Sequence, residues 1–110
     1  MRGRAISRGM DRENLVRSAE AICRAVAERR RLSFAYKGSR RLADPYILGT
    51  DADGTLLLSA VQVSGGSGKG FRSYVVAEIA SLALTDRRFF GNHPDYNPRD
   101  RLFATVLCQV

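Results

Sequence analysis

Residues 32–48 read Leu32-Ser-Phe-Ala-Tyr36-Lys-Gly-Ser-Arg-Arg41-Leu-Ala-Asp-Pro-Tyr46-Ile-Leu48. Leu32, Phe34 and Tyr36 alternate with Ser33, Ala35 and Lys37, the period of a half-buried strand. Gly38-Ser39 then signals a turn, and a second alternating run continues across Asp44-Pro45-Tyr46, where the proline points to an edge strand or a bulge. The remainder of the chain is read outward from this strand pair.

Upstream, Leu15, Ala19, Ile22 and Val26 recur at helical spacing, joined by Val16, Cys23 and Ala27, while Arg17, Arg24 and Arg31 take the opposite face. Asp11 is placed as the N-cap, Glu13 favours the first turn, and Glu13–Arg17 and Glu20–Arg24 form i,i+4 pairs in the favourable order. One amphipathic helix is predicted over 11–31, its apolar face packed on the strands or on a second copy of itself. Residues 1–10 are read as disordered, with Met10 an alternative start. They carry charge but no apolar core of a secretory signal.

Downstream, Asp51-Ala52-Asp53-Gly54 is a hairpin turn, since Asp-Gly accepts the positive φ a tight turn demands. Leu56–Val63 reads as the central strand, residues 65–70 as a flexible loop, Phe71–Val76 as a fourth strand and Ile79–Thr85 as a fifth. Leu102, Val106 and Gln109 suit a short final helix. The expected fold is mostly β: a small barrel of about five antiparallel strands (32–86), one N-terminal helix and a C-terminal extension (87–110), all in a single domain over 11–110.

The chain of 110 residues carries 18 Lys or Arg against 11 Asp or Glu, a net charge of +7. The excess sits in residues 1–41, with twelve cations against four acids; residues 42–110 have six against seven. No apolar run approaches the roughly 18 residues of a membrane span, so a cytoplasmic protein with no membrane partner is expected. Cys23 and Cys108 form no C-x-x-C pair and are read as small buried hydrophobes in a reducing compartment, a bridge between them being the less favoured alternative. With a single histidine, the ligands for a Cys/His zinc site are lacking, and no metal or cofactor is expected.

Gly65-Gly-Ser-Gly-Lys69-Gly70 is not a P-loop. The glycine five positions before Gly68 is replaced by Val63, the position after the lysine is Gly70, and the flanks are both strands, so no helix start receives a phosphate. Asp51–Gly54 lacks the further ligands of an EF-hand loop. His93 lies in an Asn-His-Pro-Asp turn with no nucleophile beside it and is read as a surface or capping residue. No catalytic constellation emerges, and an enzyme is not expected. Arg29-Arg30-Arg31 and Arg40-Arg41 form a candidate anion patch, interleaved with Phe34, Tyr36, Tyr46, Phe71 and Tyr74.

From about Arg30 to Phe89 the chain resembles the bacterial WYL domain, with Glu28-Arg-Arg-Arg-Leu-Ser-Phe-Ala-Tyr36, Arg41-Leu-Ala-Asp-Pro-Tyr46, Asp53-Gly-Thr-Leu-Leu-Leu58, Gly70-Phe-Arg72-Ser-Tyr74 and Ile79 through Phe89 as matching segments. The tail with Asp95-Tyr-Asn-Pro98 resembles short standalone members. The resemblance implies an Sm-like or SH3-like barrel acting as a ligand sensor in transcription regulation, with nucleotides or nucleic acids as ligands. It implies that Arg72 and Arg41 pair with phosphate and that Tyr46 or Tyr74 offers a stacking face. The signature Trp-Tyr-Leu falls on Leu56-Leu57-Leu58, and the usual Asp-Arg before the last strand is Ala77-Glu78. One helix is too little for a DNA-binding helix-turn-helix. The leading expectation is a sensor module for a nucleotide-like or oligonucleotide anion, regulating a partner. A non-specific single-stranded nucleic-acid binder and a dimerisation or adaptor domain with a decayed pocket are the alternatives, with a homodimer through the N-terminal helix as a further expected contact.

Overall fold

A computed structural model describes residues 11–66 and 68–110, so the reading of residues 1–10 lies outside the described residues. Helix α1 spans Arg12–Glu28, and the Asp11 carboxylate accepts the Asn14 N–H at 2.9 Å, the predicted N-cap. The helix stops three residues short of the predicted boundary. Arg29 turns left-handed (φ 52°, ψ 48°), and its N–H closes on the carbonyls of the last turn. Arg30 and Arg31 thereby become the first residues of a strand.

The strands are β1 (Arg30–Tyr36), β2 (Ser39–Thr50), β3 (Leu56–Ser64), β4 (Gly70–Val75), β5 (Ala80–Arg88) and β6 (Thr105–Gln109), with a single 3₁₀ turn, Val76–Glu78, joining β4 to β5. They pair antiparallel in the order β4-β3-β2-β1-β5, with β6 on β2. The twelve residues of β2, not β3, form the hub: β3 lies along one edge, while β1 (at residues 39–43) and β6 (at 47–50) share the other. The register shift between Pro45 and Ile47 is the bulge anticipated from the proline.

Two expectations are corrected here. The sheet is open, because β4 and β5 do not pair. Where a barrel would close strand on strand, the Val75 N–H instead donates to the Tyr36 hydroxyl at 2.9 Å. The C-terminal helix is absent, and residues 105–109 form β6. Thr105 and Val106 favour extended backbone, and β1 is too short to cover β2 beyond Ala43, which leaves an edge for β6 to pair.

Alternation along the strands sorts the apolar residues onto two sides. On one, Ile22, Ala25 and Val26 of α1 meet Leu32, Phe34, Tyr36, Ala43, Leu48, Leu58, Ala60, Tyr74, Val76 and Ile79. On the other, Tyr46, Ile47, Leu57, Val61, Phe89 and Phe103 pack together under the 89–103 segment, with Phe71 and Val75 at the margin. The helix face identified from Ile22 and Val26 is thus buried on this chain's own sheet. The cysteines are also corrected: Cys23 of α1 and Cys108 of β6 are joined by a disulfide, Cα–Cα 5.8 Å. The expectation of a reducing compartment rested on unbonded cysteines and loses that support, since disulfides persist in oxidising surroundings. Among the described residues no helix is long and apolar enough to cross a membrane.

Candidate anion-binding site

The β1–β2 turn places Lys37 (φ 49°) and Gly38 (φ 81°) in left-handed backbone, the pairing a two-residue hairpin requires. The chain returns so that Arg41 stands across from Phe34 and Ser39 across from Tyr36. Arg41 is then held on every side. Its Nε donates to the Ser39 hydroxyl (2.8 Å), Nη1 to Gln62 Oε1 (3.0 Å) and Nη2 to the Tyr36 carbonyl (3.0 Å), and the guanidinium lies over the Tyr36 ring at 5.5 Å. All four partners are neutral.

Gln62 organises the neighbourhood. It is fully buried, and its Oε1 also accepts the Tyr74 hydroxyl at 2.7 Å. Its Nε2 donates to the carbonyls of Gly65, at 2.7 Å, and Gly68. One amide therefore ties β2, β4 and the β3–β4 loop together. The loop lies directly on the arginines. A Cβ on Gly65 would sit 2.0 Å from the Arg40 carbonyl oxygen, and one on Gly66 would sit 2.5 Å from Arg41 Nη1. Glycine is needed there for close approach, not to cradle a phosphate. This supplies a structural reason for the loop that the P-loop comparison could not.

Arg72 stands across from Ala60 and Tyr74 across from Leu58, on the face that packs under α1, while Phe71 and Val75 face the other side; Val76, just past the strand end, packs on the first side too. Arg72 Nη1 donates to the Phe71 carbonyl at 2.9 Å. Burial pushes the Tyr74 hydroxyl above its ordinary pKa, an effect opposed by the nearby charges of Arg41 and Arg72. The structure thus gathers three of the four predicted residues, Arg41, Arg72 and Tyr74, around Gln62. Tyr46 is not with them. It lies in the opposite cluster, its hydroxyl accepting the His93 N–H (2.9 Å), its ring against Phe71, Phe89 and Tyr96.

The stacking role foreseen for Tyr46 or Tyr74 is not available in this geometry. Tyr74 is 1% exposed and Tyr46 3%, because both rings are core. The first half of the arginine patch is likewise committed elsewhere. Arg29 donates to Gly91 and Asn92, Arg30 to the Thr85 carbonyl and Glu28, and Arg31 forks onto Asp44 at 2.8 and 3.3 Å. On the helix, Arg24 pairs with Glu28 at 3.0 Å, and Arg17 bonds to Asn14, so neither takes the glutamate foreseen for it. His93 has the expected capping role, its Nδ1 accepting the Asp95 N–H at 3.1 Å. Asp51 closes its turn by accepting from Asp53 and Thr55. Among the described residues no group of His, Cys, Asp and Glu is placed to hold a metal.

What remains is a concentration of charge that the residue-by-residue reading passed over. The β1–β2 and β3–β4 hairpins point to the same end of the sheet, where Gly65 meets Arg40. They place Arg41 and Arg72 near Tyr74 on one face of the sheet, while Arg40 takes the other face and donates to Ser33, and neither residues 33–43 nor 54–77 contain an acid. Asp44, the next acid along β2, is neutralised by Arg31. The signal was present in the sequence as two acid-free stretches, but only strand pairing brings them to one end of the sheet. No protein-family model, curated protein or solved structure matches this chain.

Proposed function

We propose that the chain is a small ligand-binding module of the WYL type that takes a nucleotide-like or oligonucleotide anion by its phosphates at the paired hairpin ends, and through that ligand regulates a partner. The observation that carries this reading is Arg41: a partly buried guanidinium, immobilised by a hydroxyl, an amide, a carbonyl and a ring, none of which balances its charge. A rigid, uncompensated cation beside a second arginine is an arrangement that favours an anion in charge-assisted contact.

Arg72→Ala is expected to weaken binding of a short single-stranded oligonucleotide or a cyclic nucleotide by about 1.5–3 kcal/mol, with little change in melting temperature. Fluorescence anisotropy at matched salt checks this. Equal affinity in both proteins, or binding by neither, would sink the anion site and favour the adaptor reading. Lys69 is exposed and outside any P-loop arrangement, so Lys69→Ala should cost at most about 1 kcal/mol of affinity, as screened surface charges do. A loss of two orders of magnitude would show that the glycine loop grips phosphate after all.

A further inference from the structure

The helix face that packs on the sheet, with Leu15, Ala19, Ile22 and Val26, is flanked by a second row at Asn14, Arg17, Ser18 and Ala21. These are spaced i, i+3, i+4 and i+7 and so line up along one side of α1. Opposite the row stand Ile79, which caps the 3₁₀ turn, and Ser81 and Leu82 of β5, and between the two lies a cleft of about 280 Å³. Ser18 and Ala21 are small, which leaves the space that longer side chains would fill. Consecutive strand residues ordinarily face opposite ways, yet Ser81 and Leu82 both line the cleft. β5 carries one residue more than β1 between the pairs Ala35–Ala80 and Ser33–Ala83, and Ser81 takes left-handed backbone (φ 54°) within that bulge. The conformation is costly for a residue with a Cβ.

The lining is divided in its chemistry. Ala21, Ile79 and Leu82 are apolar, whereas Asn14, Arg17 and Ser81 bring polar groups. Arg17 is the one charged residue among them. Its guanidinium donates to the neutral Asn14 Oδ1 and, among the described residues, forms no ion pair. With that oxygen engaged, Asn14 has its amide N–H groups left to offer. Of the acids on α1, its cap and the 3₁₀ turn, none lines the cleft.

We infer that this cleft is a second ligand site, separate from the hairpin arginines, for a small monocarboxylic acid. The carboxylate is held by Arg17 and Asn14, and a short hydrocarbon group lies on Ala21, Ile79 and Leu82. A guanidinium meets a carboxylate with two parallel N–H donors. One cation balances one negative charge, which selects a carboxylate over a phosphate monoester carrying nearly two. The volume falls at the lower end of the roughly 300–1,000 Å³ of small-molecule sites, which limits the ligand to a short chain or a single ring.

The test titrates hexanoate into ¹⁵N-labelled protein, with hexanamide as the uncharged control. Amide shifts are expected to cluster in residues 14–21 and 79–82. Hexanamide should bind about tenfold more weakly or worse, the worth of a charge-assisted hydrogen bond. Arg17 is exposed, so Arg17→Met keeps the fold and should weaken hexanoate by a similar factor.

Shifts centred on Arg41 and Arg72 would assign the acid to the hairpin arginines and overturn the inference, leaving the anion-site reading in place. Equal affinity for hexanoate and hexanamide, equal affinity in the parent protein and Arg17→Met, or no saturable shifts at millimolar hexanoate would each overturn it as well.

Discussion

Removing the Cys23–Cys108 disulfide is expected to lower stability by about 2–5 kcal/mol. The bond closes a loop across 85 sequence positions, and loops of that length lose much of their unfolded-state freedom when cross-linked, about 4.5 kcal/mol in the chain-entropy account. The effect should be felt first at β6. That strand has five residues, pairs with β2 on one side, and leaves Val106 and Leu107 exposed, so little apolar burial holds it in place. The bond to α1 makes up the difference.

Urea denaturation of the oxidised protein against a Cys23→Ser/Cys108→Ser double variant measures the cost. Hydrogen exchange should show β6 amides losing protection before those of β1 and β3. Two free thiols in unreduced, denatured protein, or identical denaturation midpoints, would remove the claim.

Gln62→Leu is expected to cost about 2–4 kcal/mol and to abolish oligonucleotide binding along with it. Leucine fills much of the same volume but leaves the Tyr74 hydroxyl, 1% exposed, without its acceptor. It also strips Arg41 of one of its three side-chain hydrogen bonds. An orphaned buried donor costs about 1–3 kcal/mol, more when the group is charged. The glycine loop loses its tie as well, although its carbonyls lie nearer to water.

Tyr74→Phe alone should cost about 1 kcal/mol. The double variant Gln62→Leu/Tyr74→Phe should be less destabilised than the sum, because both halves of one buried hydrogen bond leave together. Strict additivity in thermal or urea unfolding would mean that Gln62 and Tyr74 are not coupled as described. Stability falling without any change in binding would show that the network supports the fold and not the site.

The same residues show where reading the sequence stops. Tyr74 and Arg72 were correctly placed on one strand face by period two, yet period two is silent on whether that face meets solvent or core. Tyr46 was grouped with them by resemblance, but a bulge at Pro45 and a different packing partner put it under the tail, bonded to His93. Gln62 drew no notice, because a lone glutamine in an apolar strand carries no motif. Its role exists only once β2, β4 and the loop are folded against it.

From the sequence alone came the elements that depend on local chemistry: the Asp11 cap, the apolar face at Ile22 and Val26, the alternation of Leu32–Tyr36, the Asp53-Gly54 turn and the strand parity around Arg72. Each depends on neighbours a few positions away, through backbone preference and side-chain period. Tertiary structure decided what depends on distant residues meeting. Residues 105–109 had helical spacing but found an open edge on β2, and strand pairing outweighed it. Cys23 and Cys108, 85 positions apart, became bonding partners because α1 lies over β6. Two acid-free hairpins came to the same end of the sheet because β2 and β3 are adjacent. Long-range pairing energy is a property of the folded arrangement, and no local window of sequence contains it.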